Sequence, residues 1–344
     1  MAEVVRYVDP DASGAGDGTS WTDAYTSLSA WESGEQTDLV TDGDWHHVYC
    51  RSSSGSADTT AVSISGWTTG ADNYILIEAA DGDEAVKDEW DTSRYRLDLD
   101  VDSYHSTYAL NIDITHITVD GIQLTYSSRY SGTGYATLNV TSDGTGVVIK
   151  NCRAKRGTAA NETKTIVGFT NYAYSATTKF ENCIAEDFEY GFVGNNDFSS
   201  GDPQRFYNCL AHNCENGFSC MRRGDLDTIN CAAFNCTDDF VSSGTGTHTI
   251  DHCASDDGDG TNSVSPSGSD WDNEFNDPDN GDFTLLNSGN CYQGGTTITG
   301  GPTYDIDGDE WDASTPSIGV DEYEGGGGGV TIPIMMHHYM TMRA

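Results

Sequence analysis

Two short runs of alternating carboxylates are spaced to wrap a hard cation. Asp9, Asp11 and Asp17 flank a glycine-rich loop, and Asp305, Asp307 and Asp309 form a D-x-D-G-D sequence. Alternate carboxylates with an intervening glycine suit the oxygen coordination of calcium, but a full EF-hand loop also needs a glutamate at its twelfth position. Counted from Asp305, that position is Pro316, so the second run is not an EF-hand. Calcium is the one cofactor these runs could take. The competing reading for both is a set of solvated turns closed by aspartate side chains.

Acid–base chemistry has other candidates. Adjacent carboxylates stand at Glu186-Asp187, Asp238-Asp239 and Asp256-Asp257, and glycoside cleavage needs one carboxyl as acid and another as base or nucleophile. With 55 acids in 344 residues, however, such neighbours arise by chance. Cations are scarce and therefore more informative. Lys150, Arg153, Lys155 and Arg156 place four of the sixteen within seven residues, and Arg222-Arg223 adds two. Local salt bridges to the surrounding acids are the plain reading of these cations. Asp238, Asp239 and Arg222 are retained as the residues to test for catalysis, with no role assigned. The pairs His46-His47 and His337-His338 cannot face one metal from a strand or helix, because sequence neighbours point apart.

The formal net charge of −39 repels phosphate backbones and anionic bilayers, which excludes nucleic acid and anionic membrane as partners. Such a surface suits solubility in a saline medium. No stretch approaches the ~20 apolar residues of a membrane span. The opening MAEVVRYVDPDASG lacks the basic and apolar regions of an export leader, so synthesis and folding in a cytoplasm are expected.

The elements that must position these residues are repeats. Asn151-Cys152, Asn182-Cys183, Asn208-Cys209, Asn230-Cys231 and His252-Cys253 each end a short apolar stretch, with cysteines 31, 26, 22 and 22 residues apart. Asn213-Cys214 and Asn235-Cys236 repeat with the same step of 22, as do Phe218 and Phe240. A period of 20 to 30 residues built from short strands is the signature of a solenoid with one coil per repeat. Asparagine and glycine tolerate the left-handed backbone of a corner, which aligns Gly121 with Asn151, Asn182, Asn208, Asn230 and His252. Stacked asparagines can also hydrogen-bond from coil to coil. The inward residues are then Ile149, Cys152 and Ala154, Phe180, Cys183 and Ala185, and Phe206, Cys209 and Ala211. In Leu110–Tyr126 they are Ile112, Ile114, Ile117, Val119, Ile122 and Leu124. The cysteines read as reduced, buried thiols, and alternation aims Lys150 and Arg153 outward.

The fold class is therefore all-β, a single-stranded right-handed parallel β-helix with a short N-terminal capping helix near Ser27–Trp31. Residues 1–60 form the cap and first strands, 61–258 the coils, and 259–324 a closing segment with a last strand at Gly281–Leu286. Residues 325–329 are a glycine linker, and 330–344 a peptide of different character.

The opening YVDPDASGAGDGTSWTDAYTSL, the Asn-Cys coils and the closing DIDGDEW…IGVDEY together resemble parallel β-helix proteins of the pectate-lyase-like superfamily, over roughly residues 7 to 324. That superfamily includes polysaccharide lyases and hydrolases, phage tailspikes and non-catalytic surface proteins, so the resemblance fixes no reaction. Its lyases use an Arg or Lys base with calcium-bound uronate, a role the resemblance allows for the cations above. A homotrimer is the default assembly it implies.

The peptide 330–344, VTIPIMMHHYMTMRA, has no acid and four of the six methionines. Behind a flexible pentaglycine it is composed for docking, through Ile332, Ile334, Met335, Met336, Tyr339, Met340 and Met342. The leading expectation is a virion surface protein of a phage or archaeal virus (a decoration protein, fibre or spike) joined through this peptide to capsid or tail proteins. A polysaccharide lyase or glycoside hydrolase is the main alternative. An extracellular, non-catalytic adhesion protein is the second. A glycan is the further partner to test for.

Overall fold

The structure is a computed structural model and describes residues 1–101, 108–128, 135–142, 145–158, 166–172, 178–194 and 203–323. The linker, all seven docking-peptide residues and His337-His338 lie outside the described residues.

Three parallel sheets are stacked from strands of successive coils between residues 2 and 251. The first has nine: Ala2–Val8, Asp44–Cys50, Ile75–Ala79, Ile117–Asp120, Val147–Lys150, Lys179–Glu181, Gln204–Tyr207, Leu226–Ile229 and His248–Asp251. The second has six, from Arg96–Val101 through Gln123–Ser128, Arg153–Arg156, Ile184–Glu186 and Leu210–His212 to Ala232–Phe234. The third has seven, from Val62–Ser65 to Tyr190–Gly194, Asn216–Cys220 and Asp238–Ser242. This is the all-β parallel β-helix that the repeats and the resemblance led us to expect.

The corners are where the sequence puts them. Gly121, Asn151, Asn182, Asn208, Asn230 and His252 all have positive φ, between 50° and 72°, and join the first sheet to the second. Asp187, Asn213 and Asn235 make a matching row between the second and third. Asn182 Nδ2 donates to Asn151 Oδ1 (3.0 Å), Asn151 Nδ2 to Asp120 Oδ1 (2.7 Å), and Asn213 Nδ2 to Asp187 Oδ1 (2.6 Å). The ladder is partial, because Asn230 instead donates to the carbonyl of Thr296 (2.8 Å).

In-register columns fill the interior. Ile77, Val119, Ile149, Phe180, Phe206 and Thr228 follow one another up the first sheet. Ala154, Ala185, Ala211 and Ala233 do so in the second. In the third, Phe169, Phe192, Phe218 and Phe240 stack within 11° of parallel at 4.7–5.2 Å. Every inward residue expected from the repeat is buried. All ten cysteines are free, and those after the corners lend their Sγ–H to backbone carbonyls, as Cys183 does to Ile149 and Glu181. Burial pushes the thiols of Cys152, Cys183, Cys209 and Cys231 well above the ordinary value, so they are packing groups and not nucleophiles.

The N-terminal helix spans Leu28–Glu35, capped by Ser27, whose hydroxyl accepts from Ala30 N. Trp31 stacks on Trp67 at 5.3 Å, and Glu32 accepts from Ser65 N and Trp67 Nε1. The helix thereby covers the first coil.

After residue 258 the chain adds one short partial turn, with Thr261 paired in parallel with Asp251 and Val264 with Ala254, and then leaves the coils. Asp282–Leu285 pairs antiparallel with Phe275–Asp277 and joins none of the three long sheets. Trp271, Phe275, Phe283, Leu285, Cys291, Ile306, Ile318 and Val320 pack on Ile184, Leu210, Ala232 and Phe234, the outer side of the second sheet, forming a second core. The chain reaches back as far as Lys87, which meets Asp307 and Asp321. Arg153 points away from the coil interior, as alternation requires, yet is fully buried beneath this layer. Its guanidinium donates to Glu186 and to the carbonyls of Val86, Glu89 and Gly281.

Candidate functional site

Alternation along the first three strands of the first sheet sends a set of aromatic and charged side chains to one outer face. The register sets Glu3 beside Trp45, Val5 beside His47, and Tyr7 beside Tyr49, and then Tyr49 beside Glu78. His46, in between, turns inward to Trp67 (5.0 Å), so the two adjacent histidines do face apart. The outer rings form a continuous platform. Trp45 stacks on Tyr74 (5.0 Å, 22°) and on His47 (5.5 Å), His47 lies 4.0 Å from Tyr49, and Tyr49 stacks on Tyr7 (5.9 Å).

The glycine-rich loop after the first strand builds one wall. Tyr7 N donates to Gly18 O, and Trp21 comes down 4.6 Å from Tyr7, with the Arg51 guanidinium 4.1 Å above its ring. Asp9 holds Arg51 in place (Nε–Oδ2 2.8 Å) and accepts from Asp11 N and from Ser53 N and Oγ. Asp11 accepts from Ser54 N, and Asp17 from Thr19 N and Oγ1. Asp9 and Asp11 thus tie this loop to the 51–54 segment, and Asp17 closes a separate local turn. The groove so bounded has a volume of about 830 Å³, with Glu78, Asp81 and Asp83 on its far side.

Its chemistry is acidic and aromatic. His47 bridges two carboxylates, Nδ1 to Glu3 (3.0 Å) and Nε2 to Glu78 (2.7 Å). Glu78 is buried. Burial and then the Glu78 and Glu3 charges push the Tyr49 hydroxyl above its ordinary value, and burial and Glu3 do the same for Tyr74. Both phenols therefore stay protonated as donors. Half-exposed planar rings beside hydrogen-bonding groups can stack on an apolar ring face while binding its hydroxyls.

The other sequence candidates are scattered. Asp305 Oδ1 accepts from Asp307 N and Asp309 N, and Oδ2 from Glu322 N, so Asp305 is a buried staple within the returning segment. Burial pushes Asp305 up to about 6. Lys150 pairs with Asp120 (2.9 Å) and Lys155 with Glu186 (3.4 Å), as local salt bridges. Arg222 lies beyond the far end of Asn216–Cys220, whereas Asp238 and Asp239 start the neighbouring strand. About five extended residues separate them, ~16 Å, so these three do not form one site. Asp239 is fully buried and is gathered instead with Asp256 and Asp257, one ligand-type oxygen from each lying within 4.8 Å of the others.

Sequence reasoning missed the platform. Its signal was present in DWHHVYC, where Trp45, His47 and Tyr49 share a face, but the partner strand lies 42 residues earlier, outside any repeat period.

No family description matches the chain, and no curated protein does. Among solved structures it is similar to the pectate lyase Pel9A, at a TM-score of 0.41 and 12% identity, over 94% of this chain and 97% of that one.

Proposed function

We propose that this protein is a glycan-binding β-helix whose saccharide lies across the platform of Tyr7, Trp21, Trp45, Tyr49 and Tyr74. The observation that carries this reading is the continuous run of ring contacts, stacked or tilted, on an outer sheet face, edged by carboxylates. An isolated apolar patch would suit a protein partner. Flat rings interleaved with fixed acceptors suit a ligand with apolar faces and equatorial hydroxyls.

The charge narrows the ligand class. Glu3, Glu78, Asp81 and Asp83 line the groove, and Arg51 is already paired with Asp9. A polyuronate or sulfated chain would be repelled, so the glycan is neutral or carries amino groups. The setting we propose is the surface of a phage or archaeal virus particle, with the protein as a trimeric fibre, spike or decoration protein docked through residues 330–344. The Met-rich composition of that peptide behind a pentaglycine supports it.

Cleavage of the bound glycan is a second reading, favoured by one observation. His47 sits between two carboxylates inside the groove, an arrangement able to move a proton. Screening the protein against neutral, amino and acidic polysaccharides, for retention and for released reducing ends, separates the readings. Retention without release supports binding alone, release supports catalysis, and preference for polyuronates overturns the charge argument.

A further inference from the structure

The open C-terminal end of the solenoid carries a second site, unconnected with the aromatic groove. In the third sheet, Gly191 and Gly217 occupy corresponding places in successive coils, and Asp239 follows them. A Cβ on Gly191 would fall 2.8 Å from the Gly217 carbonyl oxygen, and one on Gly217 would fall 2.6 Å from that of Asp239. At these two glycines the coil stacked above leaves no room for a side chain. Asp239 has no such coil above it, because Asp238–Ser242 is the last strand of its sheet. The side chain found at this uncovered position is a carboxylate.

That carboxylate is placed with care. Oδ2 accepts from Ser255 Oγ (2.9 Å) and Asp256 N (3.1 Å), which draws the following loop over it. Asp239 N donates to Asp257 Oδ2 (3.3 Å), and Asp257 N to Ser255 Oγ (3.0 Å). Oδ1 of Asp239 is buried and has no donor among the described residues. A buried carboxylate oxygen left without a donor is costly, and two further carboxylates beside it add repulsion. Among the described residues, no lysine or arginine pairs with the group. One positive charge among the three would remove both penalties.

We propose that Asp239, Asp256 and Asp257 form a calcium site that pins the 255–259 loop to the last coil and closes the solenoid. The ligands are hard oxygens only, which selects calcium or magnesium over zinc or copper. Two of them are exposed, on a loop with Gly258 and Gly260 at positive φ, and leave room for waters and irregular coordination. Calcium accepts such geometry, whereas magnesium demands a near-ideal octahedron. The loop so pinned begins the segment that returns along the second sheet.

Equilibrium dialysis of the full chain with ⁴⁵Ca²⁺ at physiological ionic strength tests this, alongside thermal unfolding with calcium or with chelator. Wild type should show one saturable site above the diffuse binding of its acidic surface, and a higher unfolding temperature with calcium. The D256N/D257N variant, altered only at exposed side chains, should bind at least tenfold more weakly and lose the calcium-dependent shift. A D72N/D113N control, equal in charge and remote from the loop, should keep both. Equal binding and equal shifts in wild type and D256N/D257N would overturn the site. So would the absence of a saturable component in wild type, which would leave Asp239 as a protonated end cap.

Discussion

Trp45 lies 5.0 Å from Tyr74, one coil further on, with the two rings 22° from parallel. The parallel register produces this contact, since consecutive strands lift identical positions over one another. Replacing Trp45 by alanine removes the ring that joins Tyr74 to His47 on an outer face and leaves the columns beneath intact. We expect W45A to fold with an unfolding temperature within a few degrees of wild type and to lose at least tenfold in glycan affinity, about 1.4 kcal/mol. Binding measured beside a melting curve checks both halves.

The Arg153–Glu186 pair is fully buried at 2.6 Å. Burial alone would raise the Glu186 carboxyl, but the guanidinium outweighs it and holds the group below its ordinary range. R153M leaves that charge only the longer contact with Lys155 (3.4 Å) and should cost about 3–5 kcal/mol in denaturant unfolding. R153M/E186L should recover only part, because the carbonyls of Val86, Glu89 and Gly281 also lose their donor. Full recovery would show that the arginine does not anchor the returning segment.

Asn182 and Asn208 hold the same corner position at φ of 52° and 53°. Asn182 Nδ2 donates to Asn151 Oδ1 and to the Tyr304 carbonyl (2.7 Å), whereas Asn208 Nδ2 has no acceptor among the described residues. Glycine keeps the backbone and deletes the amide. N182G should therefore cost about 1–3 kcal/mol more than N208G. Equal costs would mean that the corners are selected for backbone angle alone.

Burial beside Trp31 and Trp67 pushes His46 down to about 4 from its ordinary 6.5. Between those values the unfolded chain binds the proton that the folded one refuses. Stability from this group is whole above pH 6.5 and is lost as pH falls toward 4. The unfolding temperature of H46F relative to wild type should thus rise steadily from pH 7 to pH 4. A pH-independent difference would contradict the assignment.

The coils were legible because their corners have a chemical signature. Only a few residue types accept positive φ, and Asn or His recurs at that point from residue 151 to 252 beside a small buried cysteine. The platform was not legible, since its strands are separated by an aperiodic loop and a helix, and register between them is a tertiary fact. The returning segment was hidden for a related reason. Its apolar residues, such as Trp271, Phe275 and Ile318, answer an outer sheet face that the repeat itself leaves uncovered. Asp239 was noticed as a member of an acidic pair with Asp238, yet its partners are Ser255, Asp256 and Asp257, brought near by the end of the solenoid.

The most direct test of the account is calorimetric titration of wild type and W45A with the neutral or amino-sugar oligosaccharide best retained in the polysaccharide screen. The account predicts saturable binding to wild type and at least a tenfold loss in W45A, with both proteins melting alike. Undiminished binding by W45A, or no binding of any such glycan by wild type, would contradict it.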